Sequence, residues 1–78
     1  MNITRHEYRG YVFTIEYEAE EPAHQVAFPD FPEIITGGTT LGKAFDHACE
    51  ALDSHLESMQ KLNMKIPKPK HRLLLKTA

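Results

Sequence analysis

The sequence has few of the features that usually hold a very small domain together. A single cysteine, Cys49, leaves no disulfide to form within the chain, and no group of cysteine and histidine has zinc-finger spacing. Tryptophan is absent and glycine occurs only four times. No apolar run approaches the roughly 18 residues of a membrane span, and the N-terminal MNITRHEYRG lacks the apolar stretch of a signal peptide, so a soluble, cytoplasmic chain with no membrane contact is expected. Acidic residues are missing from residues 58–78, which carry six Lys and Arg, whereas residues 1–57 hold all 11 acids against Arg5, Arg9 and Lys43. The net charge of -2 thus conceals an acidic body and a basic tail. Phosphate gains its affinity from Lys and Arg and is repelled by carboxylates, so the body favours a basic protein partner over a nucleic acid.

The chain has 78 residues, 41% of them hydrophobic, which is enough for one core and no second domain. Tyr11 to Glu18 alternates strictly, with Tyr11, Phe13, Ile15 and Tyr17 on one side and Val12, Thr14, Glu16 and Glu18 on the other, and reads as a half-buried strand. The pattern breaks at AEEPA and resumes at His24 to Phe28, predicting a hairpin. Pro29 and Pro32 bracket Asp30-Phe31 and stop strand pairing in a rigid turn. Glu33 to Thr36 follows as a short strand ended by Gly37-Gly38. Upstream, Ile3 to Tyr8 offers a further strand that reverses at Arg9-Gly10.

From Leu41 the period changes. Leu41, Ala44, Phe45, Ala48, Leu52, Leu56 and Met59 recur at three and four, predicting an amphipathic helix of about 20 residues with Thr40 as its N-cap. Pro67 and Pro69 make an extended connector, after which His71 to Lys76 offers a final strand. The expected order is β-β-β-α-β: a three-stranded antiparallel meander, a helix on one face, and a fourth strand.

Candidate chemistry is sparse. Asp46, Glu50 and Asp53 have helical spacing but fall opposite the apolar stripe, where a solvated face is expected rather than a metal site. His47 and Glu50 offer two metal ligands without a third. Cys49 sits near Asp46 and Asp53, which would raise its thiol pKa, so a packed thiol is expected rather than a nucleophile. The basic tail lacks the interleaved aromatics of a stacking platform. Neither catalysis nor a cofactor is expected.

Phe28-Pro29-Asp30-Phe31-Pro32-Glu33, then Thr36-x-Gly38, Thr40-Leu41-x-x-Ala44 and Glu50-Ala51-Leu52 together resemble the HicB-like antitoxin family. Tyr8-Arg9-Gly10-Tyr11 and Ile66-Pro67-x-Pro69 extend the likeness over nearly the whole chain. The resemblance implies an α+β, partial RNase H-like fold and a non-catalytic role: neutralising a HicA-type toxin, a small basic endoribonuclease, by binding over its active surface. Contact is then expected at the turn of Asp30, Phe31, Pro32 and Glu33, whose prolines present an aromatic and two acids, and at Glu16, Glu18, Glu20 and Glu21. An orphan HicB-like domain with a structural or small-ligand role is the alternative. Many members continue into a DNA-binding domain; residues 1–78 are expected to form a single HicB-like domain without one, so operator binding is not expected. A domain this small, without disulfide or metal, buries only about 60 to 65% of its unfolded surface, and a homodimer is expected to support it, through an open sheet face at Val12 and Thr14 or the edge Leu73 to Leu75.

Overall fold

The computed structural model describes residues 3–20 and 23–70. Four antiparallel strands, β1 (Ile3–Tyr8), β2 (Tyr11–Glu18), β3 (Ala23–Ala27) and β4 (Thr36–Gly38), lie in that order in one open sheet, followed by α1 (Leu41–Lys61). The fold is α+β, with one more strand ahead of the helix than the expected meander. The fourth strand expected at His71 to Lys76 lies outside the described residues.

The first hairpin is set by its turn. Tyr8 pairs with Tyr11, leaving Arg9 and Gly10 as the two loop residues, and both have positive φ, 55° and 85°. Two successive positive φ values are what a tight turn between right-twisted strands requires, and Gly10 supplies one of them without a Cβ penalty. The expected reversal at Arg9-Gly10 is therefore present.

Alternation divides the sheet into two faces. Tyr11, Phe13 and Ile15 of β2 join Val26 and Phe28 in one core with Ala44, Ala48, Leu52, Leu56 and Met59 of the helix. Phe13 is fully buried, with its ring 5.0 Å from Phe28 and 5.2 Å from His6 of β1. Burying each such ring contributes roughly 1.5–3 kcal/mol. The opposite face carries Thr14, Glu16 and Glu18 of β2 beside Ala27, Gln25 and Ala23 of β3. Val12, expected to face outward, is buried and stands outside the core cluster.

The segment before the helix and the helix start depart from expectation. The third predicted strand, Glu33 to Thr36, is displaced: Pro32 and Glu33 form a turn, and the strand is Thr36–Gly38 with both glycines in the ladder opposite Gln25 and His24. Close approach, rather than chain termination, explains the glycines. A Cβ on Gly38 would lie 2.6 Å from the backbone nitrogen of Ala44, and one on Gly37 2.5 Å from the His24 carbonyl oxygen. Small Ala44 and Ala48 meet the sheet from the helix side, so α1 lies tightly over β4 and β3. Leu41, expected in the buried stripe, is 45% exposed, and Phe45 is half-buried.

Both helix ends are capped. Thr40 is the N-cap as expected, its hydroxyl accepting from the Lys43 N–H at 3.0 Å. At the other end Asn63 takes the left-handed conformation (φ 55°), with Asn63 N donating to Gln60 O at 3.1 Å and Met64 N to Met59 O at 2.9 Å. That pair of bonds is a Schellman motif with asparagine in the usual glycine position. The chain then returns past the first hairpin, where Tyr11 Oη donates to the Pro67 carbonyl at 2.6 Å.

Candidate partner-binding surface

The segment from Phe28 to Ile34 consists of two tandem turns. Phe31 N donates to Phe28 O and Ile34 N to Phe31 O, both at 3.0 Å, so Pro29 and Pro32 each occupy the second position of a four-residue turn. The fixed φ of proline suits that position, which is why the Phe-Pro-x-Phe-Pro-x pattern folds this way. A period of three brings Phe28, Phe31 and Ile34 to one side, and all three are buried.

This corrects the expectation that the turn displays Phe31. Its ring is fully buried, 4.9 Å from Tyr11 and 5.4 Å from His55, so it anchors the turn from beneath. Pro32 and Glu33 stay exposed and Asp30 is half-buried. The Asp30 carboxylate accepts from the Lys70 N–H, with oxygens 3.2 and 3.3 Å away. Glu33 accepts from His55 Nε2 at 2.7 Å. The Glu33 carboxyl is held below its ordinary value, chiefly by its own backbone N–H, against the opposing effect of burial and with further help from His55.

Glu16, Glu18 and Glu20 are all exposed, the first two on the helix-free face of β2, while Glu21 lies outside the described residues. The structure adds Ile35, which is 92% exposed. With Gln25, Ala27, Pro29 and Pro32 it borders a groove of roughly 450 Å³. Sequence pattern hides this residue, because a β-branched pair before a strand reads as buried β-structure.

Asp46, Glu50 and Asp53 are exposed on the helix, as expected. Asp53 accepts from Tyr8 Oη at 2.9 Å and from Arg9 at 3.0 Å. His47 Nδ1 donates to the Gly37 carbonyl at 2.7 Å. The Cys49 thiol is half-buried and its pKa is raised, chiefly by burial and then by Asp53 and Asp46. Among the described residues no group of three His, Cys, Asp or Glu side chains is placed to hold a metal ion, and no helix is long and apolar enough to cross a membrane.

The described residues thus combine an acidic, helix-free sheet face with a proline-braced turn. Residues 11–76 match the HicB-like antitoxin of bacterial toxin-antitoxin systems, and the chain belongs to that family. A relative from Photorhabdus laumondii subsp. laumondii, named Antitoxin HicB 1, is 41% identical over 59 residues, which are 76% of this chain and 37% of that protein. The match thus spans well under half the relative's length. No solved structure matches the chain.

Proposed function

We propose that this chain is a non-catalytic antitoxin domain of the cytoplasm, which holds a HicA-type basic endoribonuclease by direct contact. The observation that carries the reading is an apolar anchor, Ile35, standing 92% exposed on an acidic body in a chain of the antitoxin family. Interfaces draw most of their energy from a few apolar anchors and use charge to steer encounter. Here Ile35 and the groove beside it form the anchor. Pro32 lines that groove, Asp30 and Glu33 of the same tandem turns add two acids near it, and Glu16, Glu18, Glu20 and Glu21 supply the steering charge. Phe31 contributes by holding the turn rather than by touching the partner. Operator DNA is not a ligand of residues 1–78 in this reading, since among the described residues no helix carries a basic recognition face.

Co-purification with the small basic protein encoded beside the gene tests the proposal. A complex that forms at low salt, associates more slowly as salt rises, and is lost with Ile35→Asp supports it. Absence of a complex at every salt concentration, or an unchanged affinity in Ile35→Asp, overturns it.

A further inference from the structure

Six-residue β1 is the outer strand on one side of the sheet, and among the described residues nothing pairs with its far edge. Its hydrogen-bonding direction follows from the hairpin. With a two-residue turn, the flanking pair Tyr8 and Tyr11 exchanges both main-chain bonds, and so do His6 with Phe13 and Thr4 with Ile15. The N–H and C=O groups of Ile3, Arg5 and Glu7 therefore point away from β2. Arg5 and Glu7 are exposed, lie two apart on the helix-free face, and carry opposite charges.

Edge strands that avoid pairing carry a charge that repels a copy of itself. This one does the reverse in a single register. We propose that a second copy of this chain adds antiparallel along β1, with the twofold axis passing at His6. Arg5 then faces Glu7 of the second copy, and Glu7 faces its Arg5. The same two residues on each copy exchange their outward main-chain groups. Moving the axis to Arg5 sets two arginines against each other, and moving it to Glu7 sets two glutamates together, arrangements that like-charge repulsion disfavours. An axis between two residues would bring outward-pointing groups against inward-pointing ones. Axes nearer either end of β1 pair only about three of its residues, so among the longer overlaps charge selects the arrangement centred on His6. It joins the two sheets into one and leaves the Ile35 groove, at the other side of the sheet, uncovered. The inference stands independently of the toxin reading.

Light scattering and sedimentation of the full chain at micromolar concentration test it through charge reversal. The wild type is expected near twice 8.9 kDa. Arg5→Glu and Glu7→Arg, each alone, place like charges opposite one another twice, and each is expected to weaken the dimer by about tenfold or more. The double variant restores both pairs and the dimer. Mixing the two single variants is expected to give a heterodimer, since one then carries two acids and the other two bases at the facing positions. A wild-type mass near 8.9 kDa overturns the proposal, whether another segment of the chain or solvent then occupies the edge. So does a dimer that neither single variant weakens, or single variants that recover neither in the double variant nor on mixing.

Discussion

The phenol of Tyr8 donates to the carboxylate of Asp53 at 2.9 Å, a bond between residues 45 positions apart that fastens the end of β1 to the middle of α1. Arg9, held at φ 55°, donates to the other oxygen of the same carboxylate at 3.0 Å. One acid thus fixes both a strand end and a turn residue whose backbone conformation costs energy unless the surroundings impose it. Asp53→Asn is expected to lower the unfolding temperature more than Tyr8→Phe, because it weakens both contacts. A double-mutant cycle on Arg9 and Asp53, read by thermal unfolding, is expected to return about 0.2–1 kcal/mol, the range for a solvent-exposed pair.

Two glycines near the helix start should respond in opposite ways. A Cβ at Gly38 meets the backbone of Lys43 and Ala44 inside 3 Å, whereas one at Gly42 meets nothing within 4 Å. Gly38→Ala is expected to destabilise by about 2 kcal/mol or more, through overpacking against backbone that cannot step aside. Gly42→Ala, within the first turn of the helix, is expected to stabilise by about 0.5–1 kcal/mol. Urea unfolding of both variants checks the pair.

Phe31 gives the sharpest separation of anchoring from contact. Truncating a fully buried aromatic costs about 3–5 kcal/mol, close to the whole stability of a small domain. Circular dichroism of Phe31→Ala is expected to report a largely unfolded chain at 37 °C, while Ile35→Asp melts near the wild type.

The acid limb of stability should carry the mark of Glu33. Its carboxyl ionises below its ordinary value of 4.5 in the folded chain, so its contribution is complete above that value and lost as pH falls through the lower, folded one. The gap in unfolding temperature between wild type and Glu33→Gln is expected to be positive at neutral pH and to close in acid. A gap that widens as pH falls would contradict the assignment.

Cys49 should be a slow thiol. Burial and the two carboxylates keep it protonated, and the thiolate is the reacting species. Alkylation at about pH 8 is expected to run well behind that of a free small-molecule thiol. Asp46→Asn, which leaves the Tyr8 and Arg9 contacts in place, is expected to accelerate it.

How much of this was legible in the sequence depends on the range of the interaction. β2 and β3 follow from alternation, α1 from its three-and-four spacing and Thr40 from capping chemistry, because each is decided by neighbours within a few residues. Tandem turns escaped that reading: prolines around Asp30-Phe31 fix the backbone locally, but which side Phe31 takes depends on Tyr11 and His55, distant in sequence. Gly37 and Gly38 read as a stop signal, and only the approach of α1 reveals that they make room. Ile35 is the complementary case, β-branched and strand-like by composition yet left outside when β4 begins one residue later. In the candidate surface, the exposure of Glu16, Glu18 and Glu20 was readable from polarity, whereas the link from Glu33 to His55 spans 22 positions and needed the fold.

The two margins of the sheet are unequal, and this bears on how copies can accumulate. β4 is three residues long, and the Gly37 carbonyl is already taken by His47. It offers little to an incoming strand. β1 offers twice the length, so among the described residues one margin of the sheet suits strand addition. Units with two such margins can add head to tail without limit, as fibres do; a unit with one, joined to its own twin, has used it up and growth ends there.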